Sequence, residues 1–414
     1  MENHLYLNLD EQRKIIQEDI KEITNKRLLE IYQQNIPKNI LERYEYELKS
    51  ILENKYENIY MLLYLISKKV KEDSEIMLLS GTIGASFIVY LLGVTEIDPI
   101  EYNIPFEVSC GIEGQKRPNF DIVFSKRYLA KIRNYIKRIL KEKNLLTDET
   151  SNETVLKLYL RENEYIDIVL ELEKTTGINH STISLDDKET MKLIENADTL
   201  GISEFCTRFV RDIILKTKPT TFEDLIKVEG LSRGTYVWTE NAQELIKNGI
   251  ATLNEVITCR DDIMNYLTKQ GIEKEIAFNI METVRKGKVR INKEEKWKEY
   301  KEIMKNHKVP EWYIKSCEKI LYLFPRAHAI NYITNSFKLA YYKVHYPKPF
   351  YQSFFKVMTP SILDIGALNS KEYVLESINK INEFYSEKSN YSNVSIMFYE
   401  TALEMNEKGI QIDC

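Results

Sequence analysis

The chain has 414 residues, with 43% hydrophobic and 29% charged content, so it is long enough for two or three domains of ordinary globular composition. Its five cysteines, Cys110, Cys206, Cys259, Cys317 and Cys414, form no CxxC pair, which argues against a zinc or disulfide framework and fits a reducing compartment. The formal net charge of −5 is uneven: residues 205–350 hold 26 Lys and Arg against 18 Asp and Glu, while 1–204 hold 27 against 36 and 351–414 hold 5 against 9. The start, "MENHLYLNLDEQRKII", lacks the apolar centre of a signal peptide, and no window is long and apolar enough for a membrane span. A cytoplasmic location is expected.

Taken in order, residues 10–34 have helical period, with Ile15, Ile16, Ile20, Ile23, Leu28, Leu29 and Ile31 as an apolar stripe that Pro37 ends. A second helical run covers 38–73. The segment "MLLSGTIGASFIVYLLGVTEIDPIEYNIPFE" (77–107) contains a turn built on Gly81, Gly84 and Ser86; such a turn is more often a tight connection than a phosphate cradle. "KRPNFDIVFS" (116–125) reads as a strand, on which Asn119 and Asp121 share one face. "SKRYLAKIRNYIKRILKEK" (125–143) is an amphipathic helix with Leu129, Ile132, Ile136 and Ile139 on its apolar side. A polar loop (146–154) follows, then "VLKLYLRENEYIDIVLELEKTTGIN" (155–179). The basic middle interleaves rings and cations, as in "YLFPRAHAINYITNSFKLAYYKVHYP", which is the footprint of a phosphate-binding module or of a helical domain with a solvated Lys/Arg face. Residues 284–308 read as a basic loop and a charged helix, and 369–386 with 394–408 as an acidic helical hairpin.

Five phrases, "TLGISEFCTRFVRDI" (199–213), "KPTTFEDLIKVEGLSRGTYVWTENAQELI" (218–246), "VITCRDDIMNYL" (256–267), "VPEWYIKSCEKILYLFPRAHA" (309–329) and "YYKVHYP" (341–347), stand in one order and spacing. Together they resemble the fingers of the PolC-type bacterial replicative polymerase, the C-family DNA polymerase III α subunit. Residues 77–107 resemble that family's palm entry, where a Gly/Ser turn and an arginine meet nucleotide phosphates; no arginine is present here. The resemblance covers about residues 38–410 and implies a truncated, degenerate homologue: a palm remnant and fingers, without the zinc module, the thumb or the duplex- and clamp-binding regions. The fold this implies is mostly α with a small mixed β-sheet (α+β). Expected domains are an N-terminal helical segment (1–37), a degenerate palm-like domain (38–198), a fingers-like domain (199–350) and a C-terminal helical extension (351–414).

The resemblance also assigns site residues. The family holds two metal ions on a strand with two aspartates plus a third carboxylate. The strand positions match Asn119 and Asp121, and the third position matches Tyr159 in a gapless register or Asp167 in a register with a deletion before Gly177. On this reading two of three metal-binding aspartates are replaced, leaving Asp121 as the remnant ligand. Ser232, Arg233, Thr235, Arg260, Arg326, His328, Lys343 and His345 match nucleotide- or DNA-contacting positions of the fingers, each equally readable as a core or surface residue. Asp261 and Asp262 read as helix caps or braces.

The function this implies is that of a catalytically impaired PolC-like protein that binds DNA or replication machinery through its fingers. The alternatives are a residual template-directed nucleotidyltransferase using Asp121, Asp167 and Mg²⁺, and a protein-binding scaffold without DNA affinity. Expected cofactors are none beyond Mg²⁺ for any remaining catalysis, with no zinc. Expected partners are a primer–template or single-stranded DNA and replisome proteins, with no membrane.

Overall fold

A computed structural model describes residues 4–8, 19–33, 35–112, 114, 116–147, 155–291, 295–362, 370–384 and 390–412. The chain is 62% helical around one small mixed sheet, the α+β organisation expected from the sequence. Two compact units divide it: the first comprises 1–163, 233–245 and 256–331, the second 164–232, 246–255 and 332–414.

In chain order the first unit contains β1 (His4–Asn8), α1 (Ile20–Tyr32), α2 (Lys38–Glu53), α3 (Glu57–Glu72), β2 (Met77–Leu79), α4 (Phe87–Leu91), α5 (Glu107–Cys110), β3 (Phe120–Phe124), α6 (Leu129–Glu142) and β4 (Val155–Glu162). The helices that follow are α7 (Glu164–Thr176), α8 (Lys188–Glu195), α9 (Arg208–Thr217), α10 (Phe222–Arg233), α11 (Gln243–Lys247), α12 (Arg260–Lys269), α13 (Lys274–Arg285), α14 (Trp297–Asn306), α15 (Glu311–Lys319), α16 (Arg326–His345), α17 (Pro347–Ile362), α18 (Lys371–Phe384) and α19 (Asn390–Glu407). The long helical run read over 38–73 is two helices, because Lys55 takes a left-handed conformation between α2 and α3. Residues 4–8, expected to belong to an N-terminal helical segment (1–37), form an edge strand; residues 9–18, including Ile15 and Ile16, lie outside the described residues.

The sheet order is β1-β4-β3-β2, antiparallel at both edges and parallel between β4 and β3. Parallel neighbours need a crossover, and α6 supplies it. Alternation in "VLKLYLRE" sends Leu156, Leu158 and Leu160 to one face, where they join Phe120, Ile122 and Phe124. Ile132, Ile136 and Leu140 of α6, with Ile59, Leu62, Leu63 and Ile66 of α3, complete that core. One face of the sheet is therefore buried under helices. The other carries Tyr6, Lys157, Tyr159, Arg161 and Asp121.

The second unit has its own core, in which α7 packs on α17 and Phe222 lies edge-on to Phe337. Caps fix its helix starts: Asp187 accepts from the Thr190 N–H at 2.8 Å and Thr207 from the Val210 N–H at 3.2 Å. One polar group sits deep inside. Glu229 of α10 is fully buried among Leu225, Ile226, Val228 and Leu231, with the Ser232 hydroxyl donating toward it at 3.5 Å. Burial pushes its carboxyl up to about 8, so it is neutral at physiological pH.

This sets the sign of a pH effect. Between the ordinary carboxyl value and about 8 the folded protein keeps a proton that the unfolded chain releases, so stability falls as pH rises through that window. Glu229→Gln removes the linkage. In urea unfolding the variant should gain on the wild type by a few kcal/mol between pH 5 and pH 8. A difference that is the same at both pH values would contradict an uncharged Glu229.

Candidate functional site

The open face of the sheet is set by strand register. In the parallel pair Asp121 lies directly across from Tyr159, and Val123 across from Arg161. Residues two apart on a strand share a face, so Tyr159, Arg161 and Asp121 converge there. Asp121 is 3% exposed. Arg161 closes over it, its Nε donating to both carboxylate oxygens at 2.9 and 2.7 Å. Burial raises the Asp121 carboxyl above its ordinary range, and the Arg161 guanidinium opposes that shift. Asn119 precedes the strand, its side chain exposed and its backbone N–H donating to the Thr82 hydroxyl at 2.9 Å. Asp167 is on α7, in the second unit, and not on a strand.

Next to this pair, the Ser80 N–H donates to the Asp121 carbonyl at 2.8 Å, continuing the β2–β3 ladder by one residue. The Ser80 hydroxyl lies 2.6 Å from His328 Nε2. Burial, then Arg260, Arg161 and Arg233, push the His328 imidazole down to about 3. It is neutral at physiological pH, and a base that weak does not activate a serine there. The Ser–His contact is a hydrogen bond of the site, not a nucleophilic pair.

The Gly/Ser turn is packed from below. A Cβ on Gly81 would stand 1.9 Å from the Asn119 carbonyl oxygen and 2.9 Å from the Asp121 nitrogen. Only glycine allows the turn to lie this close to β3. At Gly84 the nearest atoms would be at 3.5 Å, an ordinary contact. The donors beyond the turn already have a protein anion: the Ser86 hydroxyl donates to buried Glu47 at 2.7 Å and the Ile88 N–H at 3.3 Å, while Arg43 pairs with the same carboxylate. The turn is thus a close connection, and the donors beyond it are engaged by Glu47.

The other expected contact residues divide into internal and exposed. Arg260 is 3% exposed and donates to the Val108 carbonyl at 3.2 Å. Arg326 is 5% exposed; its Nε donates to the Tyr102 carbonyl at 2.9 Å and its N–H to Asp261 at 2.9 Å. Asp262 caps α12, accepting from the Thr258 and Cys259 N–H groups at 3.0 and 2.8 Å, as the sequence suggested. In the second unit Lys343 is buried, and its ammonium donates to the Asp198 and Leu200 carbonyls and to Glu404, at 2.8–3.0 Å. Its three protons are engaged. His345 meets Asp187 at 3.0 Å, and the Ser232 hydroxyl donates to the Glu229 carbonyl at 2.9 Å. Of the two readings the sequence left open, the buried cations take the structural one: they brace loops and helix ends. Arg233 and Thr235 are exposed, and Thr235 pairs with Tyr322 through the backbone.

The family model described as the bacterial DNA polymerase III alpha NTPase domain matches residues 18–198, and that of the bacterial DNA polymerase III alpha subunit finger domain matches 163–308. The chain is 30% identical to the DNA polymerase III PolC-type of Caldanaerobacter subterraneus subsp. tengcongensis, covering 95% of this chain and 38% of that protein. It is also 30% identical to its Bacillus subtilis counterpart, over 95% and 37%, and 28% identical to that of Staphylococcus aureus, over the same shares. The chain is a PolC-like homologue of the bacterial DNA polymerase III alpha subunit.

It spans well under half the length of these PolC relatives. Within the aligned part it is also shorter: 536 aligned positions use only 95% of 414 residues, leaving roughly 140 positions of the PolC relative opposite gaps. Of the positions that the resemblance suggests as metal ligands, Asp121 is a carboxylate bridged by a guanidinium, Asn119 a neutral amide and Tyr159 a phenol, while the alternative Asp167 lies on α7 of the second unit. That donor set does not fit two divalent cations, which need several anionic oxygens. Among the described residues no group of three or more His, Cys, Asp or Glu side chains is placed to hold a metal ion. Sequence reasoning missed Arg161, although the alternation in "VLKLYLRE" already puts it on the face of Tyr159.

Two stability measurements check this construction. Gly81→Ala should lose about 1–3 kcal/mol, because backbone must move, while Gly84→Ala should change little. Arg161→Ala should destabilise by about 1–3 kcal/mol by uncovering a buried carboxylate, and Asp121→Asn should relieve most of that loss in the double variant. Additive losses in the cycle would contradict a coupled pair.

Proposed function

We propose that this protein is a PolC-like nucleic-acid-binding protein that does not carry out two-metal nucleotidyl transfer. One observation carries the reading: the only carboxylate at the matched ligand positions, Asp121, is buried and bridged by Arg161, with Tyr159 directly opposite. A divalent ion entering there meets a guanidinium instead of a second carboxylate. The unfavourable charge is compounded by Lys157 on the same face.

Nucleic-acid binding is supported by this homology and by the basic balance of residues 205–350. Because Arg260, Arg326 and Lys343 are internal, binding through this region falls to exposed cations such as Arg233, Lys288 and Lys298. DNA, and the replication proteins that handle it, are the proposed partners. No helix among the described residues is long and apolar enough to cross a membrane.

The test has two arms on the full chain. Anisotropy of a fluorescent primer–template should report affinity that falls log-linearly with salt. Primer extension with either Mg²⁺ or Mn²⁺ should give no product. Extension that disappears in Asp121→Ala would overturn the non-catalytic reading, and absence of binding at low salt would redirect the search to protein partners.

A further inference from the structure

The open face of the sheet has a property that its lost carboxylates do not explain. Across β1 and β4, rings and cations form a continuous row. His4 is the direct partner of Tyr159, and Tyr6 of Lys157. The His4 and Tyr6 rings meet edge-on at 4.9 Å, and His4 and Tyr159 at 6.2 Å. The Lys157 ammonium lies 4.6 Å from the Tyr159 ring centre and 5.6 Å from that of Tyr6, and the Arg161 guanidinium 5.7 Å from Tyr159.

Cross-strand aromatic pairs also stabilise sheets, and that alone would account for two rings. It does not account for the composition of the whole face. The three leucines of β4 all point the other way, and the rings on this face are only partly covered while Arg161 is exposed. We propose that this face is a platform for single-stranded nucleic acid, stacking unpaired bases on Tyr6 and Tyr159 and pairing Lys157 and Arg161 with the phosphodiester. Tyr6 and Tyr159 are diagonal neighbours on adjacent strands, a spacing of about 7–8 Å, which leaves room for one base per ring. Half-exposed rings interleaved with cations on a small sheet are a general way to hold unpaired bases with little sequence preference. Charge complementarity singles out a polyanion: Asp121 is neutralised by Arg161, so the face presents Lys157 and the outer edge of the guanidinium. The substitution that removes a metal ligand, Tyr159, thereby supplies a stacking surface. This deepens the proposed function and rests on it.

The experiment titrates the full chain into fluorescein-labelled oligo-deoxythymidine, oligo-uridine and a blunt duplex at low salt, following anisotropy. Wild type should bind the single strands more tightly than the duplex. Tyr159→Ala should weaken single-strand binding roughly tenfold or more, and Tyr159→Phe, which keeps the ring, should restore it. Lys157→Gln should lower the salt slope by about 0.7, the value of one phosphate contact on a single strand. Should Tyr159→Ala fail to fold, Tyr6→Leu and Lys157→Gln carry the test. Equal affinity for duplex and single strand would overturn the platform, as would binding in Tyr159→Ala or Tyr6→Leu equal to wild type. Wild type that binds none of the three probes would overturn nucleic-acid binding itself. Preference between the two single strands assigns DNA or RNA as the source, and either supports the platform.

Discussion

A buried carboxyl group either keeps its proton, as Glu229 does, or is matched by a cation, and at Asp121 the cation is part of the chain. Asp121 sits at the start of β3 with its backbone carbonyl in the ladder to Ser80 and its side chain under Arg161. The parallel register that places Tyr159 opposite also brings Arg161 within reach, two residues further on the same face. Everything on the open face follows from that register. The crossover through α6 makes β4 parallel to β3, the leucines of β4 take the core, and the polar residues have only the other side to occupy. In a metal-dependent site the same carboxylate would be one of several drawing a divalent ion out of water. Here the Coulombic role is filled without an ion, and the neighbouring His328 is held neutral by burial and by three arginines.

The same device recurs away from the sheet. Arg43 and Glu47 tie α2 to the turn before α4, Arg326 with Asp261 and Asp262 joins the starts of α12 and α16, and Lys343 with Glu404 closes the second unit. Each is a buried or nearly buried ion held by hydrogen bonds from within the chain. Removing one partner of such a pair is far more damaging than the pair is stabilising. The well-kept phrases around these residues therefore have a structural explanation, and their persistence does not by itself argue that they touch a ligand. Charge counted along a sequence overstates charge at a surface for this reason.

The family, the α+β class and the helical middle were legible because several long phrases stand in one order and the helical periods are strong. The strand carrying Asp121 was legible too, as was the capping by Asp262. Register was not. The choice between Tyr159 and Asp167 as the third ligand position turns on a gap in the resemblance, and nothing in the sequence showed that Tyr159 pairs across from Asp121 while Asp167 is on a helix. The edge strand β1 was hidden by the charged helix read after it, although Leu5 and Leu7 alternate with His4 and Tyr6. The inward course of Arg260, Arg326 and Lys343 was illegible for a physical reason: a long cationic side chain can run to water or to a buried carbonyl, and only the tertiary partner decides.

The most direct measurement is an electron paramagnetic resonance titration of Mn²⁺ into the full chain and into Asp121→Asn at neutral pH. The account predicts that the two proteins bind Mn²⁺ alike, because Arg161 already occupies the carboxylate. A tight Mn²⁺ site in the wild type that is lost in Asp121→Asn would contradict it, and would return the sheet to metal chemistry.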